Sequence, residues 1–131
     1  MKRTIAQLSL VVRDYDEAID FYVNKLAFTL IEDTPLSDTK RWIVVAPSPA
    51  SECKLLLAKA SGDEQLNRVG NQTGGRVFLF LHTDDISREI LLLKEKGVKI
   101  VRPPSTEVYG TVAVFEDLYG NLWDLIQPVN N

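Results

Sequence analysis

The hydrophobic positions near the start of the chain change period between two neighbouring segments. Residues 5–12 form a short apolar run that ends in β-branched valines, which is typical of a strand. Asp14 then stands where a helix N-cap belongs, and Glu17 follows three residues later. In residues 16–26 the apolar side chains share one helical face: Ala18, Phe21, Tyr22 and Leu26. This pattern predicts a strand followed by a helix that packs against a sheet.

Three further strands are predicted in the first half of the chain, at residues 29–32, 42–46 and 54–58, with prolines among the residues that separate them. Residues 61–75 are polar, contain four glycines and show no sustained period, which indicates a linker with one helical turn. The first half is therefore interpreted as a βαβββ module that spans residues 4–60.

The second half of the chain repeats this order. Residues 77–83 have the pattern of a strand, Asp84 or Asp85 caps a helix, and Gly97 ends that helix before a strand at residues 98–102. The apolar face of this helix holds Ile86, Ile90 and Leu93. The same sequence of elements thus begins again after the linker.

After two consecutive prolines come two more strands, at residues 110–115 and 122–127, joined by a polar turn that contains Gly120. A shift of 70 residues aligns the two halves without a gap. It lays Asp84 on Asp14, Leu91 on Phe21, Gly97 on Ala27 and Ile100 on Leu30. The sequence therefore predicts an α+β fold of two tandem βαβββ modules, the second at residues 76–128, within a single domain of residues 1–131.

The composition narrows the possible partners. Hydrophobic residues make up 45% of the chain, charged residues 25%, and the formal net charge is -3. No cluster of Lys or Arg is long enough to follow a phosphate backbone, so nucleic acid is not an expected partner. No apolar run approaches the roughly 18 residues that cross a bilayer, so no membrane partner is expected. Cys53 is the only cysteine and the N-terminal segment lacks a signal-peptide pattern, so we expect a cytoplasmic protein.

Two stretches of the chain resemble a known superfamily. Residues 10–30, LVVRDYDEAIDFYVNKLAFTL, are similar to the opening strand and helix of the vicinal oxygen chelate superfamily, which includes glyoxalase I, bleomycin-resistance proteins and extradiol dioxygenases. Residues 109–128, YGTVAVFEDLYGNLWDLIQP, resemble its closing hairpin, in which a D-x-x-G-N turn precedes an apolar strand with an acidic residue. The resemblance covers essentially the whole chain. It implies half-barrel sheets that pair, within the chain or across a homodimer, to enclose one cavity.

The resemblance also implies four positions for a metal. Catalytic members hold a divalent ion, such as Zn, Ni, Mn or Fe, through two residues from each module. Gln7 stands at the first position and Asp124 at the last, and both side chains have oxygen lone pairs. Leu56 stands at the second position and Val77, or neighbouring Phe78, at the third, and none of these can bind a metal. We therefore expect no tight metal site, and a site built on Gln7 and Asp124 is the alternative.

Aromatic and charged residues on the strands and adjoining loops are candidates for contact with a planar or anionic ligand. They are Arg41, Trp42, Arg76, Glu107, Tyr109 and Phe115. Strand alternation puts Trp123 on the face opposite Asp124, so Trp123 is interpreted as a packing residue. His82 and Cys53 each lack a clear activating partner, so His82 is interpreted as structural or exposed and Cys53 as a passive thiol.

Two functions from different classes follow. A non-catalytic protein would sequester a hydrophobic or aromatic small molecule, in the manner of bleomycin-resistance proteins, and the incomplete ligand set favours it. The alternative is a divalent-metal-dependent lyase, isomerase or dioxygenase, in which Gln7 and Asp124 are joined by water or by a residue such as Glu52 or Glu116. A third hypothesis, a protein-interaction domain, has no sequence feature of its own.

Overall fold

A computed structural model describes residues 1–130 as two compact units, the first from Met1 to Val69 and the second from Gly70 onward. The boundary between the units falls inside the stretch predicted as a linker. Each unit contains one four-stranded mixed sheet together with short helices. Every helix in residues 1–130 is too short or too polar to span a membrane.

The first unit follows the order strand, helix, three strands. Its elements are β1 (Gln7–Val12), α1 (Tyr15–Ile19) with a π-helical continuation (Asp20–Lys25), β2 (Thr29–Pro35), β3 (Arg41–Ala46), β4 (Lys54–Lys59) and α2 (Gly62–Leu66). The sheet order is β1-β4-β3-β2, with β1 parallel to β4 and the other neighbours antiparallel. The predicted βαβββ order is confirmed, and α2 is the helical turn expected in the linker.

The second unit repeats this topology. Its elements are β5 (Val77–His82), α3 (Ile86–Glu95), β6 (Ile100–Glu107), β7 (Gly110–Glu116) and β8 (Leu122–Pro128). The sheet order is β5-β8-β7-β6, with β5 parallel to β8 and the other neighbours antiparallel. The predicted fold class, two tandem βαβββ modules, is therefore confirmed at the level of both sheets.

One face of each sheet is buried against the helix of its own unit. In the first unit α1 contacts β3 and β4, and the buried strand residues include Leu10, Val12, Ile43, Val45, Leu55 and Leu57. In the second unit α3 contacts β6 and β8, and the buried strand residues include Ala113, Phe115, Trp123 and Leu125. Each fully buried large side chain contributes about 1.5–3 kcal/mol. The alternate residues of the same strands are left for the opposite face.

Strand β6 continues through Pro103 and Pro104, where the sequence predicted that the strand ends at Arg102. The prediction was wrong because β6 is an edge strand, where proline is tolerated since a missing N–H costs no bond to an outer neighbour. The register shifts between Arg102 and Ser105, so the two prolines occupy an irregular stretch of the ladder. The strand then runs on to Glu107, which brings that carboxylate onto the sheet.

The two long helical segments have the same kind of N-cap and are followed by the same kind of left-handed residue. Asp14 accepts a hydrogen bond from the backbone N–H of Glu17 at 2.9 Å, and Asp85 accepts one from Arg88 at 3.1 Å. Of the two N-cap candidates, Asp84 and Asp85, the structure therefore has Asp85 as the N-cap. Beyond each helix stands one residue in the left-handed region, Ala27 with φ 59° and Gly97 with φ 76°.

The first helix holds one residue more than the second between cap and exit. The extra residue is accommodated by the wider π-helical turns, in which Leu26 N–H donates to the Phe21 carbonyl five residues back at 3.0 Å. The gapless alignment of the two halves is consequently wrong inside the helix, where buried Phe21 had been laid on exposed Leu91. The alignment is correct just after each helix, where Ala27 and Gly97 both have a left-handed backbone.

A buried aspartate organises the turn that leads into β8. The Asp117 Oδ1 accepts hydrogen bonds from the backbone N–H groups of Tyr119, Gly120 and Asn121 at 2.9–3.0 Å. Its Oδ2 accepts one from Asn121 Nδ2 at 2.9 Å. A Cβ at Gly70 would overlap the backbone carbonyl of Tyr119, so the chain entering this unit passes directly against the turn. The D-x-x-G-N stretch is therefore a structural device that sets the register of β8.

The substitutions Ala27→Gly and Gly97→Ala are expected to change stability in opposite directions. A left-handed backbone costs an L-residue about 1 kcal/mol relative to glycine, so the free energy of unfolding should rise by about that amount in A27G and fall by a similar amount in G97A. A Cβ at Gly97 would meet no atom within 4 Å, so G97A reports backbone strain alone. Urea unfolding followed by circular dichroism measures both, and a loss of stability in A27G would contradict the expectation.

Candidate ligand-binding site

The strand register determines which side chains of the first unit lie on the sheet face opposite α1. Leu56 is the Cα partner of Ser9 on one side and of Val44 on the other. Paired residues share a face and every second residue follows them, so this face includes Gln7, Ser9, Val11, Trp42, Val44, Lys54, Leu56 and Ala58. Trp42 and Leu56 are half-buried there, whereas Gln7 is exposed. The middle of the face is mainly apolar, and Gln7 and its partner Lys54 lie at one end.

A cavity of about 550 Å³ lies where β3 begins and β4 ends. Its walls include Trp42 and Leu56 from the face opposite α1, and Tyr15 from the first residue of that helix. Lys40 and Lys59 line it from the two strand ends. We call it the end cavity. Its volume is within the range of small-molecule sites.

Arg41 also lines the end cavity, but its guanidinium is held by two carboxylates. Asp33 receives two hydrogen bonds from it, at 2.7 and 3.2 Å, and Asp16 receives one at 2.8 Å. These bonds, with Asp33 the larger contributor, raise the pKa of Arg41 above its ordinary value. The guanidinium also lies 5.4 Å from the centre of the Tyr15 ring. Arg41 therefore ties α1 to β2 and β3, and its contact with a ligand stays a prediction.

In the second unit a row of four residues crosses the sheet face opposite α3. Arg102 on β6 is the Cα partner of Val114 on β7, Val114 pairs with Asp124 on β8, and Asp124 pairs with exposed Phe80 on β5. Trp123 points the other way and stacks on Phe115 with ring centroids 5.7 Å apart. The prediction that Trp123 packs under the helix is confirmed. Asp124 thus lies between Val114 and Phe80, with one cation on the same row.

A cavity of about 430 Å³ opens on this face and brings together four residues that the sequence singled out. They are Val77, Glu107, Tyr109 and Asp124. Arg102 lines the same cavity, and the two prolines of β6 add to its wall. We call it the β6 cavity. It combines an apolar floor with two carboxylates and one guanidinium.

Burial raises the pKa of the Asp124 carboxyl, because removing the ionised form from water is unfavourable. The positive charge of Arg102 acts in the opposite direction and lowers that pKa. Since the raising effect is the larger, ionised Asp124 is under strain in the free protein. A group on a ligand that donates a hydrogen bond to this carboxylate would relieve that strain.

The remaining residues predicted from the sequence lie outside both cavities. Phe115 is 1% exposed and faces α3, so its position favours packing over contact with a ligand. Arg76 is exposed just before β5. His82 is exposed at the end of β5, and Cys53 is exposed before β4.

The residues at the four metal positions of the family do not fit a tightly held divalent ion. Gln7 and Asp124 offer oxygen atoms, but Leu56 and Val77 offer only alkyl groups without lone pairs. Within residues 1–130, no three His, Cys, Asp or Glu side chains converge in a way that could hold a metal. The guanidinium charge of Arg102 close to Asp124 further disfavours a second cation there.

Several cavity residues could not be singled out from the sequence. Arg102 is the last residue of the predicted strand, and it lines the β6 cavity because it pairs with Val114 on the face opposite α3. Tyr15 precedes the helix predicted at residues 16–26 and was not singled out; it is 8% exposed and lines the end cavity. Lys59 was not singled out because it directly follows the strand predicted at residues 54–58, and in the structure it is the last residue of β4.

Comparison with known proteins agrees with this architecture. The sequence model of the Glyoxalase/Bleomycin resistance protein/Dioxygenase superfamily matches residues 4–125. An uncharacterized protein of Shewanella frigidimarina (strain NCIMB 400) is 61% identical over 128 residues, covering 97% of this chain and 95% of its own. The crystal structure of UcmS2 has a TM-score of 0.83 at 26% identity, covering 96% of this chain and 98% of its own. That of TnmS3, an antibiotic binding protein from Streptomyces sp. CB03234, has a TM-score of 0.78 at 29% identity and covers 98% of both chains.

The match across both modules and the presence of one βαβββ sheet in each unit define the class of protein. The chain belongs to the glyoxalase, bleomycin resistance protein and dioxygenase superfamily. The resemblance stated from residues 10–30 and 109–128 is thereby confirmed. At the four positions that the resemblance implies for a metal, only Gln7 and Asp124 carry oxygen donors, and this assignment stays a prediction.

Asp124→Asn is expected to raise thermal stability near pH 7, because the variant removes a partly desolvated negative charge. The folded-state pKa of Asp124 lies above its unfolded value, so its destabilising contribution grows as the pH rises through the folded pKa. The advantage of the variant should therefore shrink toward zero as the pH falls to about 4, the unfolded pKa of an aspartate. Thermal unfolding at several pH values measures it, and an equal gain at every pH would point to packing instead.

Arg102→Gln serves as the matched change. It removes the charge that lowers the pKa of Asp124, so that pKa should rise further than in the unmodified protein. Carbon-13 NMR titration of the Asp124 carboxyl compares the two proteins. An unchanged titration would show that Arg102 does not act on Asp124.

Proposed function

We propose that this protein binds a hydrophobic or aromatic small molecule and sequesters it without catalysis. The observation that carries the proposal is the residue content of the sheet faces opposite α1 and α3. At the metal positions that the resemblance implies, these faces have the alkyl side chains of Leu56 and Val77. Asp124 is the single carboxylate at those positions, and the charge of Arg102 acts on it. A face of this kind offers apolar contact and a few polar anchors rather than an activated metal-bound oxygen.

The side chains around the cavities suit a planar ligand. Trp42 is half-buried on the face opposite α1, so part of its indole is available for stacking. Tyr109 is exposed at the edge of the β6 cavity and offers both a ring and a hydroxyl. An aromatic contact of this kind contributes about 0.5–1.5 kcal/mol beyond the area it buries.

A solved structure supports the same interpretation. TnmS3, whose fold this chain shares over 98% of its length, is an antibiotic binding protein. By that likeness we infer that the sequestered molecule is a planar, antibiotic-like compound. Sequestration of such a compound would confer resistance to it. We further infer a cytoplasmic homodimer, as is usual for small single-chain members of the superfamily.

The competing function is a divalent-metal-dependent lyase, isomerase or dioxygenase. The observation in its favour is that Gln7 and Asp124 keep oxygen donors at two of the family's four positions. It requires further ligands from water or from residues such as Glu52 or Glu116. Metal content distinguishes the two functions, because a site with three or more ligands retains its ion through purification.

The test combines metal analysis with a thermal-shift screen of planar antibiotics and of Zn, Ni, Mn and Fe salts. We expect less than about 0.1 metal ion per chain after purification without chelator, and stabilisation by at least one aromatic compound. A ligand at 100 times its Kd stabilises the folded state by about 2.7 kcal/mol, which is a shift of several degrees in Tm. Trp42→Ala should weaken a compound held in the end cavity and Tyr109→Ala one held in the β6 cavity, whereas Leu91→Ala, on the exposed side of α3, should weaken neither.

The opposite result would reject sequestration and support the metal-dependent enzyme. It consists of one metal ion per chain that is lost in Asp124→Ala, together with no stabilisation by any aromatic compound.

A further inference from the structure

We propose that the end cavity receives the acidic group of the ligand, so that the molecule this protein binds is an aromatic anion. The inference rests on the proposed function and adds the charge of the ligand and the place where that charge is held. It follows from the side chains that line the end cavity.

Two ammonium groups supply the positive charge. Lys40 precedes β3 and Lys59 ends β4, and both line the end cavity. Neither lysine forms an ion pair with any residue in 1–130. No Asp or Glu is present among the described residues that line the cavity. An anion entering it would therefore meet uncompensated positive charge.

A buried hydroxyl adds an oriented donor. Tyr15 is 8% exposed, and its Oη accepts a hydrogen bond from the backbone N–H of Arg41 at 3.3 Å. A phenol that accepts through its lone pair still has its own proton to donate. Because Tyr15 lines the end cavity, that proton can go to a ligand carboxylate or sulfonate oxygen, in a charge-assisted hydrogen bond.

The aromatic part of the ligand has its own wall in the same cavity. Trp42 and Leu56 lie on the same sheet face, and both are half-buried. Leu56 pairs with Val44, and Trp42 lies two residues before Val44 on β3. An arene against this wall would place a directly attached acidic group toward the strand ends that carry Lys40 and Lys59. The cavity is large enough for a two-ring system.

The charges elsewhere favour this cavity over the other. The Arg41 guanidinium and the carboxylates of Asp16 and Asp33 together carry one net negative charge. Lys40 and Lys59 outweigh it, so the surroundings of the end cavity keep one net positive charge. The β6 cavity has two carboxylates, Asp124 and Glu107, against the single cation Arg102. An anion would be repelled there and attracted at the end cavity.

The test compares two probes of one shape, 2-naphthoate and its neutral carboxamide 2-naphthamide. Calorimetry on the full chain should give about tenfold tighter binding for the carboxylate, because it alone gains charge-assisted hydrogen bonds. Raising the salt from about 0.05 M to about 0.5 M should weaken naphthoate and leave naphthamide unchanged. In the double variant K40Q/K59Q the preference should fall below about threefold, with naphthamide affinity retained.

Matched variants locate the site. Lys94→Gln removes a lysine from α3 in the other unit and should keep the full preference. Tyr15→Phe keeps the buried ring and removes the hydroxyl, which is both the donor to the ligand and the acceptor for the Arg41 backbone N–H, so it should weaken naphthoate more than naphthamide. Trp42→Phe should abolish the change in tryptophan fluorescence on binding, since the remaining tryptophan, Trp123, is buried in the core of the second unit. Lys40 and Lys59 are exposed, so their variants are expected to fold, which circular dichroism checks.

Three results would overturn the inference. Equal affinity for the two probes, or a preference that survives in K40Q/K59Q, would show that the end cavity does not select an anion, while aromatic binding itself would still support the proposed function. Absence of binding by both probes up to about 1 mM would also reject the aromatic anion. In that case the proposed function would be decided separately by the antibiotic screen and the metal content.

Discussion

Each sheet of this protein packs one face against a helix of its own unit, and that packing decides what the other face presents. The side chains of a strand alternate, so Leu55 and Leu57 are committed to the side of α1 and Leu56 to the opposite side. The same holds for Trp123 and Leu125 around Asp124. A one-residue slip of register would turn every one of these side chains over. The buried faces therefore position the side chains of the candidate site.

Polar contacts at the strand ends maintain that register. Asp117 satisfies three backbone N–H groups of the turn before β8, and this places Asp124 opposite Val114. Arg41 joins α1 to two strands through Asp16 and Asp33 at the mouth of the end cavity. Asp124 itself is held against the preference of a carboxylate for water. A group that is kept at a cost to folding is the kind of group expected at a binding site.

The two cavities differ in how far the sequence could anticipate them. Val77 and Asp124 were singled out by likeness to a family pattern and Glu107 and Tyr109 by chemical type and position, and the fold gathers all four. Arg41 and Phe115 were also chosen for chemical type, and their side chains are engaged in an ion-pair cluster and in the core. Arg102 and Tyr15 were not chosen, because one lies at the end of a predicted strand and the other just before a predicted helix. The chemical type of a residue identified candidates for ligand contact, and strand register decided which of them line a cavity.

The sequence by itself determined the number and order of the strands and helices, the two-module repeat, and the absence of lone pairs at Leu56 and Val77. These depend on local period and residue identity, which can be read along the chain. The tertiary structure alone decided that β6 runs through two prolines, that the longer first helix widens into π-helical turns, and that Lys40, Lys59 and the Tyr15 hydroxyl surround one cavity. Those outcomes depend on edge position, hydrogen-bond register and the meeting of strand ends that are distant in sequence. No local pattern encodes such distances, because they arise only when the strands pair.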